Sequence, residues 1–372
     1  MNRAYKFRIY PTKEQEQLLA KTFGCCRFVY NIMLEEKIRE YRTSKKMKQT
    51  TPAMYKETYP WLKEVDSLAL ANVQLHLERA YKAFFRNPKI GFPHFKSSHG
   101  SRQSYTTNVV NGNVCLSEKS LKLPKLKEIK IRKHREIPEG YRLKSVTVNK
   151  EATGKYYASL LYETAACENQ AGAEKKRPEN ILGIDYAMDG MAVFSNLRKC
   201  GYPPLFRMAA EKLAQEQRRL SHCQKGSRNY QKQKRRVALC HEKVRNQRKD
   251  FHHKLSRKLA EGYDAVAVED LDMKAMSQCL KLGKGVMDNG YGMFRALLSY
   301  KLKERGKEMV KVDRYFPSSK KCSVCGRIKE ELSLSERIYE CACGNVMDRD
   351  VNAAINIREE GRRILETGYK CA

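Results

Sequence analysis

The sequence predicts a multidomain protein, α/β and β mixed, and three observations carry that expectation. A single alternating strand, Tyr5 to Tyr10, is separated by a helical stretch from a run of short alternating strands that ends near Glu163. Past a polar segment, strands and helices alternate through the rest of the chain. Two cysteine pairs, Cys322-x-x-Cys325 and Cys341-x-Cys343, break into that alternation just ahead of its last helix.

Tyr5-Lys-Phe-Arg-Ile-Tyr10 has strand periodicity and stops at Pro11. Thr12 followed by Gln15 is a capping-box pair and opens an amphipathic helix through Leu18, Leu19 and Phe23. A second helix is expected over Phe28 to Tyr41 and a third over Leu68 to Arg86, after which the Pro- and Gly-marked stretch NPKIGFPHFKSSHGSRQSYTT closes the helical block. The short strands that follow carry basic residues at outer positions and predict a small β-barrel or open sheet. One β element before the helices and many after them make the helices an insertion into a sheet domain. Thr164 to Glu179 is polar and aperiodic, and is the expected domain boundary.

Ile181 to Tyr186 and Met191 to Ser195 then read as paired strands. From Arg207 to Leu259 the chain is helical and strongly basic, turning at Gly226-Ser227. Val237, Cys240, Val244, Phe251 and Leu255 form a single apolar seam there. Asp264 to Glu269 is a buried-type strand. A Gly-rich loop over Gly283 to Gly292, a helix over Met293 to Arg305, a strand over Glu308 to Phe316 and a final helix from Val351 complete the pattern.

Lysine and arginine number 74 against 42 aspartates and glutamates, a net charge of +32 over 372 residues, with a pI near 9.7. An excess of that size repels itself unless a polyanion neutralises it, which points to nucleic acid. Nine of the 13 cysteines (Cys25, Cys26, Cys115, Cys167, Cys200, Cys223, Cys240, Cys279 and Cys371) are scattered and read as reduced thiols. No apolar run approaches about 18 residues and the N-terminal segment has no signal-peptide core, so the expectation is a soluble protein of a reducing compartment with no membrane partner.

Two constellations carry chemistry. Asp185 lies inside the apolar run that starts at Ile181, Glu269 closes Val266 to Val268, and Asp350 opens the last helix. Buried carboxylates cost several kcal/mol, of order, unless a cation compensates them. Three together suit hard divalent metal, and two such ions can clamp the attacking and leaving oxygens of a phosphodiester. Cys322, Cys325, Cys341 and Cys343 can offer four thiolates to tetrahedral zinc, with Cys343 the least secure because one residue, not two, separates it from Cys341. The setting Phe316 to Lys321 does not suit a redox dithiol, so the zinc is structural.

The segments KFRIYPTKEQEQLL, RAYKAFF, FPHFKS, GIDYAMDG, VAVEDLDM, NGYGMFRALL, KVDRYFPSSKKCSVCG and CGNVMDRDVNAAINI, in that order over nearly the whole chain, resemble the TnpB (OrfB) proteins of bacterial insertion sequences. That family comprises RNA-guided DNA endonucleases related to type V CRISPR effectors. The resemblance implies a wedge β-barrel over residues 1–10 and 90–166, interrupted by a helical recognition block over 11–89. It also implies a RuvC-like nuclease domain of the RNase H fold over 167–372, with a zinc-ribbon insert at 317–346. Carried over, the catalytic residues and magnesium ligands are Asp185, Glu269 and Asp350, with Asp348 a rival for the third place. The first motif has Tyr186-Ala187 where the family more often has Leu-Gly.

The implied partners are a transposon-derived guide RNA and double-stranded target DNA, bound by a monomer in the cytoplasm with the nucleoid. Both strands would be cut with two Mg2+ ions, beside a structural Zn2+. Protein would read a short DNA motif and base pairing the rest. Asn72, Gln74, Tyr105 and Thr106 are candidates for reading that motif; Lys82, Arg218, Arg235, Arg236, Arg245 and Arg248 are candidates for nucleic-acid contact. The alternatives are a nuclease-silent guided DNA binder, a transposase acting on transposon ends and, more distantly, a zinc-binding structural protein.

Overall fold

The computed structural model describes residues 2–45, 50–98, 103–164, 177–279, 283–333 and 335–370. It comprises two units, Met1–Glu168 and Asn169–Ala372. Most of the expected boundary segment, with Cys167, and also Cys371, lie outside the described residues.

The first unit contains β1 (Asn2–Tyr10), α1 (Lys13–Ser44), α2 (Tyr55–Thr58) and α3 (Ser67–Arg86), followed by β2 (Gln103–Asn108), β3 (Cys115–Leu116), β4 (Ser120–Leu123), β5 (Lys127–Arg132), β6 (Arg142–Lys150) and β7 (Tyr156–Glu163). The strands form one seven-stranded sheet in the order β2-β6-β7-β1-β5-β4-β3. β1 lies inside it, antiparallel to β5 and β7. Its alternation sends Phe7 and Ile9 into a core shared with Ile129, Val146 and Leu160, and the helices add Leu19, Phe23, Leu70 and Leu77 to the same cluster.

Thr12 and Gln15 make the expected capping box: the Thr12 N–H donates to Gln15 Oε1 (3.0 Å) and the Gln15 N–H to Thr12 Oγ1 (3.3 Å). Gln15 Nε2 also donates to the carbonyls of Leu126 and Glu128, at 3.0 and 2.8 Å, so one amide both starts α1 and ties it to the sheet. The two helices expected over this stretch are a single 32-residue helix. Gly24 weakens it by about 1 kcal/mol, but buried Phe23, Cys25, Cys26 and Val29 flank it; packing outweighs that loss.

The second unit has β8 (Ile181–Ala187), β9 (Met191–Phe194), α4 (Leu205–Ser221), α5 (Arg228–Gly262), β10 (Ala265–Glu269), α6 (Met273–Cys279), α7 (Gly283–Asn289), α8 (Tyr291–Lys303), β11 (Glu308–Val312), β12 (Ile338–Glu340), β13 (Val346–Asp348) and α9 (Arg349–Lys370). A four-stranded sheet runs β11-β10-β8-β9, with β8, β10 and β11 parallel and β9 antiparallel. Among the described residues no helix is long and apolar enough to cross a membrane.

Two expectations for this unit change. The Gly-rich stretch is not a loop: it forms α7, then Gly290 at φ 60°, then α8, so one left-handed joint does the work expected of the whole segment. The α4–α5 seam is partly polar. Val244 is buried, but so are Glu216, Gln233 and Glu242, and Gln233 Nε2 donates to Glu216 Oε2 at 2.6 Å. Ser227 caps α5 after the turn, accepting from the Tyr230 N–H at 3.1 Å.

Strand alternation gives the sheet two faces. Leu182, Ile184, Val266 and Val268 pack with Leu259, Ala260, Phe294 and Leu298. Ile181, Ala265, Ala267, Val310 and Val312 pack with Ile357 and Leu365 of α9. Gly183, Asp185 and Glu269 share the parity of this second face. Small residues bring α9 close: a Cβ on Gly183 would lie 2.0 Å from the Ala354 carbonyl oxygen, and one on Gly361 would lie 2.4 Å from Ala267 Cβ.

Candidate active site

Asp185 near the end of β8, Glu269 at the end of β10 and Asp350 in the first turn of α9 converge because the sheet register and the close seat of α9 place them together. Burial raises the Asp185 carboxyl well above its ordinary range; the charges of Glu269 and Asp350 raise it further, against Arg349. Burial also raises Glu269, against the hydrogen bond from Ser318. These are carboxylates made costly to ionise by their surroundings and by one another.

The neighbouring groups hold this arrangement. Ser318 Oγ donates to Glu269 Oε1 at 2.5 Å. Arg295 donates to the carbonyls of Glu269 (Nη1, 2.9 Å) and Leu271 (Nη2, 3.2 Å), fastening the end of β10. Arg349 Nε lies 3.5 Å from Asp350 Oδ1. Tyr291 is fully buried, and its hydroxyl has no hydrogen-bond partner among the described residues. Burial raises that phenol, Arg295 opposes the rise, and the nearby charges of Asp185 and Glu269 add to it.

Asp348 does different work. Its Oδ1 accepts from the N–H groups of Asp350 (2.9 Å) and Val351 (3.3 Å), capping α9, and its Oδ2 accepts from Lys199 at 3.1 Å. Burial acts to raise this carboxyl, but these bonds prevail and lower it.

The Sγ atoms of Cys322, Cys325, Cys341 and Cys343 all lie within 4.8 Å of one another, including the Cys343 whose spacing is short. Burial opposes ionisation of Cys322, yet the N–H groups of Cys325 and Val324 and the Asn345 side chain bring it down to about 6. The Asn345 N–H favours a thiolate at Cys343, but burial and the other three sulfurs push it up to about 12. Four thiolates at this spacing suit zinc.

In the first unit, Asn72, Tyr105 and Thr106 line one pocket of about 260 Å³ with Arg27, His76 and Lys96. The Asn72 amide donates to the Leu68 carbonyl at 2.9 Å, and Thr106 Oγ1 lies 2.8 Å from Thr147 Oγ1. Gln74 stands apart from that lining and donates to Glu78 at 2.9 Å. Lys82 is exposed on α3, as are Arg218 on α4 and Arg235, Arg236 and Arg245 on α5. Arg248 is half-buried and faces Asp288 at 3.4 Å, a pairing inside the unit.

A protein of Streptomyces pristinaespiralis named "Putative RNA-guided DNA endonuclease" is 35% identical over 373 residues, covering 97% of this chain and 90% of that protein. The chain belongs to the TnpB (OrfB) family. An Escherichia coli K12 relative with the same description, InsQ, is 29% identical over 98% of this chain and 94% of its own. The OrfB_IS605 family, described as a probable transposase, matches residues 161–280, and the Cas12f1-like TNB domain matches 291–357. A family helix-turn-helix domain matches residues 1–46, where the structure has a strand and one long helix. One chain of the cryo-EM structure of the Cas12f1–sgRNA–target DNA complex aligns over 96% of this chain and 98% of its own, with a TM-score of 0.60 and 15% identity, a likeness of fold.

Tyr291, Arg295 and Ser318 stand in NGYGMFRALL and FPSSKK, where no local pattern marks them as neighbours of the acids. Gly183 carried a usable signal, since a glycine inside a buried strand marks a close backbone approach.

Proposed function

We propose that this chain is an RNA-guided DNA endonuclease of an insertion sequence, cutting both target strands at Asp185, Glu269 and Asp350. The observation that carries the reading is Asp185: a carboxyl desolvated and set beside two further acids, an arrangement whose ionised form calls for added positive charge. Hard oxygen donors fit Mg2+, and when bound a pair of such ions supplies Lewis-acid stabilisation to the attacking and leaving oxygens. The chain's own residues orient the ligands: Ser318 holds Glu269, Arg295 holds the end of β10, and Asp348 caps α9 so that Asp350 is fixed.

On this reading 167–372 is a RuvC-like domain of the RNase H fold with a zinc ribbon at 317–346. Residues 1–10 and 90–166 are a wedge barrel around a recognition block at 11–89. The pocket with Asn72, Tyr105 and Thr106 reads the short DNA motif, and the cationic faces of α4 and α5 follow phosphates. The zinc braces Asp350 and takes no part in bond cleavage.

The test is to purify the protein with its co-expressed RNA, sequence that RNA, and challenge the complex with target DNA bearing randomised flanks. Guide-dependent double-strand cleavage requiring Mg2+ is expected. Asp185→Ala should abolish it while RNA and DNA binding stay nearly unchanged. Joined transposon ends formed without guide RNA would favour strand transfer instead, the activity in the probable-transposase description.

A further inference from the structure

We propose that Ser318 is a positioning residue for Glu269, locking the plane in which that carboxylate faces the divalent cation, and that the zinc-bearing segment holds Ser318 in place. The inference rests on the nuclease reading of the site. A glutamate's terminal torsion is broad, so without a partner the carboxylate samples many planes. Arg295 secures the main chain of Glu269 but leaves that torsion free. Ser318 Oγ donates to Oε1 at 2.5 Å and removes the freedom, leaving the other oxygen to the cation.

A serine can do this only if its own backbone is fixed, and the structure fixes it at several points. Ser318 is buried, 6% exposed. Its carbonyl accepts from Asn356 Nδ2 at 2.8 Å, and the same amide donates to the Lys321 carbonyl at 2.6 Å. Asn352 Nδ2 also donates to the Lys321 carbonyl (2.7 Å), while its Oδ1 accepts from the Ser323 N–H (3.0 Å). The Lys321 N–H donates to the Pro317 carbonyl at 2.9 Å. Two asparagines one helical turn apart on α9 thus clasp the segment on both sides of Cys322, the first cysteine of the zinc cluster. α9 carries Asp350 in its first turn. One helix therefore sets two of the three carboxylates, one directly and one through Ser318. A serine that merely satisfied the loop would need no bond to the acid.

The test uses the full-length protein with its guide RNA as wild type, Ser318→Ala, Ser318→Thr and Asp185→Ala. Mn2+ binding is followed by electron paramagnetic resonance, with the Asp185→Ala complex subtracted to remove ions held by RNA, and cleavage is titrated with Mn2+ in parallel. Ser318→Ala is expected to weaken Mn2+ binding at the site about 10- to 100-fold. Raising Mn2+ should recover part of its lost cleavage, which it should not do for Asp185→Ala, so that a binding loss is separated from a rate loss. Zinc content should be unchanged and Ser318→Thr should restore the affinity. A Ser318→Ala chain with wild-type Mn2+ affinity, or a Thr variant no better than Ala, overturns the proposal. Absence of guide-dependent cleavage by the wild type would overturn the nuclease reading itself, and cleavage by Asp185→Ala the placing of its site, whatever Ser318 does.

Discussion

Gly183→Ala tests how the site is assembled, because the three atoms nearest the added one belong to α9 and to none of the three acids. Its Cβ would lie 2.0 Å from the Ala354 carbonyl oxygen, 2.7 Å from the Arg358 nitrogen and 2.8 Å from Arg358 Cβ, where ordinary contact begins at 3.4 Å. All three atoms sit close to the backbone of α9, so no flexible side chain can swing away. The helix must withdraw by about 1.4 Å at Ala354, one turn beyond Asp350. Overpacking of this kind costs about 1 to 3 kcal/mol, and a misplacement of about 1 Å at a reacting centre costs roughly 100-fold in rate. Single-turnover cleavage of a target plasmid by the RNA-loaded protein should therefore fall about 100-fold, and urea unfolding should shift to a lower midpoint. Wild-type cleavage together with a wild-type midpoint would refute the argument that close seating of α9 sets Asp350 against Asp185.

Two further outcomes follow from the charges. Asp185 and Glu269 have native pKa values raised above their unfolded ones. As pH rises past about 4, the unfolded chain ionises first while the native state keeps its protons, so metal-free stability falls through that window. Asp185→Asn should accordingly melt above wild type near neutral pH without divalent cation, and the gap should close toward about pH 4 and on adding Mg2+; melting curves that coincide at every pH would contradict this. Cys343→Ser should lose zinc despite its short spacing from Cys341, because all four sulfurs share one cluster; zinc retained at wild-type stoichiometry, measured with a chromophoric chelator, would show that three cysteines suffice.

Much of the site was legible because its signals are local. A carboxylate inside an apolar strand, a carboxylate ending one and paired cysteines are each visible in fewer than about ten residues, and the Thr12–Gln15 cap is likewise a short-range pattern. What escaped was set by tertiary contact. Gly24 is a plausible break in an isolated helix, but the buried residues around it keep α1 whole. The glycines from Gly283 to Gly292 look like a loop, yet among them Gly290 alone has positive φ. Gln233 falls on no apolar pattern and is buried because Glu216 across the hairpin answers it. That Asp348 caps α9 and meets Lys199 is likewise a tertiary fact, since an acid two residues before Asp350 looks no different in the sequence.

The internal position of β1 has a consequence for synthesis. Its partners are paired as Arg8 with Arg132 and Asn2 with Glu163, so the ribosome must make some 150 further residues before the strand is flanked on both sides. At translation speeds of about 5–20 residues per second, the strand waits roughly 8 to 30 s with open hydrogen-bonding edges. Phe7 and Ile9 supply an adhesive face in that interval. Lys6 and Arg8, on the opposite face, act as gatekeepers that repel a second nascent strand. In the finished sheet the same two cations lie over aromatic rings, Lys6 4.2 Å from the centre of Tyr157 and Arg8 4.8 Å from that of Tyr10. Charges that guard the growing chain thus become part of its folded surface.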